Sequence, residues 1–515
     1  MNSGILLACG VVLITARYLF VRRRSTIKDI RGPPSPSWIF GNMLQLLVPP
    51  NYGDYEFNWQ RVYGAVYRVK GVFGQDRLLL SDPAALQYVL NSPIFEHGPT
   101  LENAASILFE KECVMLAKGE THKRLRAEMH IGFTASVVRD FQTMLEGVAQ
   151  SMTEELEELK LSPVDICPIL SEATLDAISR ALLSYSTQDW GRDFVVNNAQ
   201  IMALASTRSA VQIFADAVTV RLPRWVSRAV FRLPTTAFKA IRTAKSFAKE
   251  VGERIIHEKM EAGQQGSAGE TDVFDMFLNL GPREKRRNPL TLEEVAAQTG
   301  ILLIAGQETT TSVLVFGLLE LARHPQFQDQ LRSEARSFLR NRSSTSYDNM
   351  PLLNAFIKET LRLYPSGALQ ERVATRDTVI PLADSITTST GELMDQIAIR
   401  KGQVVSMAIA SYHRQELLWG ADAHEFRPSR WLDGTVYQGQ ALGPYANLLS
   451  FIGGPHVCLG WRFAVLEMQV FFSELVANFS FDVPQDLPIR MRFANTLIPV
   501  MLNGEKGAML RITRV

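Results

Sequence analysis

The chain has 515 residues, 46% of them apolar and 21% charged, with a formal net charge of +1. These proportions fit a folded, enzyme-sized protein and exclude disordered, collagen-like and acidic-tail polypeptides. A near-zero balance supplies no electrostatic reason for a nucleic-acid partner. Four cysteines, at positions 9, 113, 167 and 458, are too few and too scattered for a disulfide framework, and no CxxC pair is present to hold zinc.

From Gly4 to Val21 the chain is almost wholly apolar, about 18 residues or roughly 27 Å as a helix, close to the thickness of a bilayer. Arg17 sits near one end, where its side chain can snorkel to the interface. Arg22, Arg23, Arg24, Lys28 and Arg31 follow directly, and Met1 to Ser3 carry no charged side chain. Positive residues on the C-terminal flank place the remainder on the cytoplasmic side, so residues 1–31 read as a single-pass anchor with its basic flank. Residues 32–37, with three prolines, form a stiff extended hinge, and the body runs from 38 to 515.

Strand signals occur at Ala65–Val69 and Arg77–Leu80, and helical periodicity dominates from Leu101 to Phe247. Gln264 to Arg287 is polar, rich in glycine and charge, and reads as a surface connection. A long helix starts near Thr291, where Thr291 and Glu294 form a capping box, and stays apolar through Leu321. Another covers Pro351 to Leu363. Short strands lie between Val373 and Val405, and a last helix runs from Leu459 to Val476. Helices outnumber strands, which predicts a mainly α (α+β) fold in one large body.

The sharpest local feature runs from Phe451 to Gly460, with Cys458 among close-spaced glycines directly before a helix. A helix N-terminus carries partial positive charge and stabilises thiolate. A cysteine so placed is an iron ligand, a nucleophile or a buried structural thiol; spacing alone leaves the three open.

Phe-x-x-Gly-x-x-x-Cys-x-Gly, followed by Phe463, Ala464 and Glu467, resembles the haem-binding loop of the cytochrome P450 superfamily. Three further segments match the same family in order: Ala305-Gly306-Gln307-Glu308-Thr309-Thr310, Glu359-Thr360-Leu361-Arg362, and Phe426-Arg427-Pro428-Ser429-Arg430-Trp431. The anchor fits the microsomal branch, and the wording around Glu359 is most similar to fungal members.

The resemblance implies a single large haem-binding domain with small β-sheets behind the transmembrane helix. It implies Cys458 as the axial iron ligand, whose thiolate donates electron density and favours O–O cleavage. Phe451, Gly454, Gly460 and Ala305 would border the cofactor. His122 and Arg126, spaced i, i+4, together with Arg372 and His456, would hold the propionates; His456 stands where most members have arginine. Glu308 and Thr309 would be catalytic, an acid and an alcohol relaying protons toward the oxygen being reduced. Gly306 would leave room for dioxygen and water. Glu359, Arg362 and Arg430 would form a structural network under the cysteine loop, and Ile301, Ala305 and Leu369 would line the substrate pocket.

No HExxH, P-loop or dinucleotide-binding GxGxxG is present, so a fused reductase module is not expected. The expected activity is insertion of one atom of dioxygen into a lipophilic small molecule, in fungal secondary metabolism such as terpenoid synthesis. Electrons would come from NADPH through a separate NADPH–cytochrome P450 reductase, at the endoplasmic reticulum membrane with the catalytic domain in the cytosol. Two rivals are a haem-thiolate isomerase or dehydratase that does not use dioxygen, and a non-catalytic haem-binding sensor. Glu308 and Thr309 argue against the isomerase, which has no need of proton delivery to oxygen.

Overall fold

The computed structural model describes residues 25–159, 163–190, 192–222, 224–264, 272–278, 289–341, 345–436 and 441–515. The predicted anchor, Gly4 to Val21, and the basic triplet behind it lie outside the described residues.

The helices that position the site are α1 (Gly119–Met129), α2 (Gln142–Glu158), α3 (Ile166–Leu183), α4 (Thr236–Gln264), α5 (Leu292–Arg323), α6 (Pro351–Leu363) and α7 (Trp461–Asn478). Five strands make the largest sheet: β1 (Val66–Lys70), β2 (Asp76–Leu80), β3 (Phe95–His97), β4 (Leu369–Ala374) and β5 (Val404–Ala408). Their order is β1-β2-β5-β4-β3, so the C-terminal half of the chain supplies two central strands of an otherwise N-terminal sheet. Near the C-terminus, β6 (Arg490–Ala494) and β7 (Thr496–Val500) form an antiparallel hairpin. The fold is mainly helical with small sheets.

Helix α5 is the axis of the body. Its start is set by the Thr291–Glu294 box, in which the Thr291 hydroxyl accepts from the Glu294 amide at 3.2 Å and the Glu294 carboxylate accepts from the Thr291 amide at 3.0 Å. Such a cap contributes about 1 kcal/mol. Nearly every face of the helix is covered, which explains why its sequence is apolar all round. It is the one described helix long and apolar enough to cross a bilayer, and it is mostly buried inside the protein.

Against α5 lies α3, and the two are pinned by polar contacts as well as packing. Gln307 donates to the Ser171 carbonyl at 3.0 Å and accepts from Asn198 at 2.7 Å. The hydroxyls of Thr174 and Thr311 meet at 2.7 Å. Gly306 sits at this crossing: a Cβ there would stand 2.5 Å from Cγ1 of Ile178. The expectation that Gly306 leaves room for dioxygen is therefore corrected, because the missing side chain is filled by a neighbouring helix. Gly306→Ala is expected to lose about 1–2 kcal/mol, the clash outweighing the gain in helix propensity. Urea unfolding checks this, and a stabilised variant would contradict it.

Two other expectations change. Residues 272–278, inside the stretch read as a surface connection, contain a short helix, Val273–Phe277, with Val273, Phe274 and Phe277 fully buried. The body also begins before residue 38. Ile27 and Ile30 are buried among β2, β5 and their neighbours, and the Arg31 carbonyl accepts from the Arg68 amide of β1 at 2.9 Å. The proline segment is thus fastened to the sheet at its start; the Pro34 carbonyl accepts from Asn42 at 2.9 Å.

Candidate active site

Cys458 lies in the loop between the turn Leu449–Phe451 and α7. Its amide donates to the Phe451 carbonyl at 2.8 Å, which folds the loop back on itself. The loop is held tightly: Ile452, a β-branched residue, adopts φ 58°, and Gly454 adopts φ 66° where a Cβ would meet the Leu90 carbonyl oxygen at 2.5 Å. A β-branched residue in that region stores on the order of 1–3 kcal/mol. Phe451 is buried, with its ring 6.5 Å from that of Trp461.

The Cys458 side chain is accessible although it lies deep in the protein, so its free surface faces interior space and not the outer surface. Burial pushes its thiol up, while the Gly460 amide and Arg126 pull it down. The net shift of the free thiol is upward, and a coordinated metal cation would supply the positive charge that makes it a thiolate. Cys113 and Cys167 are buried thiols, Cys167 beside the Asp165 carboxylate.

Beside this loop the structure gathers basic groups from four separate segments. Arg126 of α1 donates to the Val457 carbonyl at 2.5 Å. The His122 and His456 rings lie 4.3 Å apart, and a third, His97 of β3, lies 4.8 Å from His456. Arg372 of β4 is opposite His97 in the sheet register and contacts its Nδ1 at 3.3 Å. Burial, followed by mutual repulsion, pushes His97 down to about 3 and His456 to about 4, and burial alone brings Arg372 to about 10. His122 is lowered as well, by burial and then by Arg126. At neutral pH the imidazoles are therefore neutral and both guanidinium groups charged. Among the described residues neither Arg126 nor Arg372 has a carboxylate partner. Two desolvated guanidinium groups with three imidazoles and no acid form a receptor for an anionic group. His97 was not visible in the sequence, because what identifies it is a pairing to a residue 275 positions away.

On α5, Ala305 is exposed in the middle of an otherwise covered helix, a second mark of interior space. The Thr309 hydroxyl donates to the Ala305 carbonyl at 2.8 Å, and the Ser366 hydroxyl donates to the Thr309 carbonyl at 2.8 Å. Both oxygens of Glu308 accept from Lys506, at 2.9 and 2.8 Å. No described hydrogen bond joins Glu308 to Thr309. Ile301 is buried with Ala105, Phe109 and Cys113, and Leu369 is buried in the main core.

Glu359, Arg362 and Arg430 form one closed network. Both Glu359 oxygens accept from Arg362, at 2.8 and 2.9 Å, and one accepts from Arg430 at 2.9 Å. The Arg427 amide and Trp431 indole add bonds at 2.9 and 3.0 Å. Arg362 also donates to the carbonyls of His413, Ala423 and Glu425. The three charged side chains are at most 2% exposed. Arg362 is tied to the cysteine loop indirectly: the His413 ring accepts from the Leu449 amide at 2.9 Å, and its other nitrogen meets the Arg362 carbonyl at 3.1 Å.

A cytochrome P450 family model matches residues 31–511. The chain belongs to the cytochrome P450 family. It is 28% identical over 502 residues to cytochrome P450 monooxygenase 91 of Postia placenta, covering 93% of this chain and 92% of that one. It is 30% identical over 494 residues to cytochrome P450 monooxygenase claU of Ampulloclitocybe clavipes, covering 90% and 88%. A second protein of that fungus, cytochrome P450 monooxygenase claQ, is 27% identical over 509 residues, with 96% and 94% covered. The protein is thus a monooxygenase of the cytochrome P450 family, with a haem-thiolate cofactor and with dioxygen, a substrate and a redox partner as its reactants. The isomerase and sensor readings are set aside. The site residues fit the cofactor: an accessible cysteine faces interior space, and the arginines of the basic cluster have no carboxylate partner among the described residues.

One cytochrome P450 motif residue has an environment of its own. Glu467 of α7 is fully buried, and neither carboxyl oxygen has a hydrogen-bond partner. Burial pushes it well above the usual carboxyl range; the Thr310 hydroxyl opposes this but does not reach hydrogen-bonding geometry. A raised folded value means that the stability it contributes is present below the unfolded value, about 4.3, and is lost as pH rises toward the folded one. Glu467→Gln is expected to remove this slope. Melting temperatures of both proteins across pH 4 to 8 check it, and parallel curves would contradict it.

Proposed function

We propose that this cytochrome P450 oxygenates a lipophilic small molecule at a membrane, with electrons from NADPH through a separate reductase. Cys458 would hold the haem iron, supported by the observation that carries this reading: a cysteine accessible from inside the protein and set beside a basic cluster whose arginines have no carboxylate partner among the described residues. Arg126, Arg372, His97, His122 and His456 would hold the propionates. When bound through a thiolate, haem supplies the reductive activation of dioxygen and its delivery to a C–H bond. The chain's own residues do the rest. Ala305 and Ile301 bound the substrate space with apolar surface, Thr309 presents a hydroxyl that donates to the Ala305 carbonyl, and Glu308, once it takes a proton from solvent, is the acid that resupplies it. Their apolar lining supports a terpenoid or similar hydrophobic substrate. The likeness to fungal relatives supports secondary metabolism, and the apolar, arginine-flanked N-terminus supports a single-pass anchor in the endoplasmic reticulum with a cytosolic catalytic domain.

Reconstitution with a diflavin reductase, NADPH and a panel of terpenoid and aromatic compounds, read by mass spectrometry, tests the reading. Thr309→Ala is expected to keep consuming NADPH while releasing hydrogen peroxide in place of oxygenated product. Full coupling in that variant would contradict the role given to Thr309.

A further inference from the structure

The ion pair of Glu308 joins the oxygen-side helix to a part of the chain that no motif marks. Lys506 lies beyond the β6–β7 hairpin, in the turn Met501–Lys506, where the Met501 amide donates to the Glu505 carbonyl at 2.9 Å and Val500 bridges to Lys506. The turn is fixed on both sides. Arg492 of β6 donates to the Gly504 carbonyl at 2.8 Å, and the Ala508 amide donates to Asp165 at 2.8 Å, the same oxygen that caps α3 through the Cys167 amide. Its ammonium is therefore delivered to Glu308 by a rigid support, and the pair is nearly buried, with side-chain exposures of 15% and 8%.

The same hairpin reaches the next residue of α5 by a second route. The Leu497 amide of β7 donates to the Ser366 carbonyl at 2.9 Å, and the Ser366 hydroxyl donates to the Thr309 carbonyl. Both members of the acid–alcohol pair are thus tethered to one C-terminal hairpin, by different atoms. A carboxylate that accepts from an ammonium through both oxygens is turned toward that ammonium, and Glu308 makes no bond to Thr309 in this arrangement. Glu308 must swing away from Lys506 to serve the alcohol.

We propose that Lys506 is a positioning residue that clamps Glu308 against the C-terminal hairpin and sets when the acid becomes available to Thr309. This rests on the proton-relay reading of Glu308 and Thr309. The test compares wild type, Lys506→Met, Lys506→Gln, Lys506→Arg, Glu308→Gln and Lys506→Met with Glu308→Gln, each as haem-loaded protein with reductase. Lys506→Met is expected to lower product formed per NADPH about tenfold, because Glu308 loses the partner that fixes its position; this is less than the ~10²–10⁴-fold that a proton donor itself supplies, and KM and the carbon monoxide spectrum stay unchanged. Lys506→Arg is expected to restore coupling, and the double variant to be no worse than Glu308→Gln alone. Independently of turnover, Lys506→Met is expected to melt several degrees lower, and adding Glu308→Gln to recover the loss by removing the unpaired charge. Should Lys506→Met fail to fold, Lys506→Gln, which keeps one donor, gives the same comparison. Wild-type coupling in the lysine variants beside an uncoupled Glu308→Gln would overturn the clamp and leave the relay intact. Full coupling in Glu308→Gln would overturn the relay, and the clamp with it.

Discussion

Glu359→Ala is expected to give little or no folded, haem-loaded protein. Its carboxylate accepts from Arg362, Arg430, the Arg427 amide and the Trp431 indole, all in a region with almost no solvent. Removing one partner of a buried pair costs about 3–5 kcal/mol because a charge is left uncompensated; here Arg362 is stranded and Arg430 keeps only Asp422, at 3.3 Å. A domain's whole stability is only about 5–15 kcal/mol. The carbonyls of His413, Ala423 and Glu425 would still accept from Arg362, but they cannot neutralise it. Burial alone would raise the Glu359 carboxyl; Arg362 and then Arg430 outweigh it and hold the value below the usual range. For a lowered folded value, the stabilisation is complete above the unfolded value near about 4.3 and is lost as pH falls through the folded one. Wild type is therefore expected to weaken below about pH 4 at this network. Yield and circular dichroism of the variant check the first expectation; a well-folded Glu359→Ala that binds haem at wild-type level would contradict it.

Cys458→Ser is expected to fold yet to lose all measurable oxygenation. The loop is held by the Cys458 amide, the Ile452 and Gly454 backbone and the Arg126 bond to Val457, none of which uses the sulfur. The Gly460 amide, which favours the thiolate form of Cys458, can serve a serine oxygen as well. The loss should exceed the ~10–100-fold that an outer-sphere change costs at a metal, since the ligand itself is changed. Melting of the haem-free variant near the wild-type temperature, with no product by mass spectrometry, is the expected pair of results. Product formation at a wild-type rate would contradict the assignment of Cys458.

What could be read from the sequence was local. Thr291 and Glu294 marked the start of α5 because a capping box lies within four residues, and the cysteine loop, Glu359 with Arg362, and the pair Glu308 and Thr309 are each short strings. What depends on distant partners was hidden. His97 acquires meaning only across β3 and β4 from Arg372, and Lys506 only beside Glu308, 198 residues earlier. Gly306 shows in the sequence as a missing side chain, but not that Ile178 fills the gap. Val273–Phe277 was masked by charged flanks, and Ile27 and Ile30 by the arginines and prolines around them, since composition averaged over a window hides a few buried residues.

The most direct test of the account is the carbon monoxide difference spectrum of the reduced, full-length protein. A haem held by Cys458 is expected to give the red-shifted Soret band of a thiolate-ligated carbonyl complex, and Cys458→Ser to lack it. Folded wild-type protein that binds haem but shows only the shorter-wavelength band of a nitrogen- or oxygen-ligated haem would contradict the central claim.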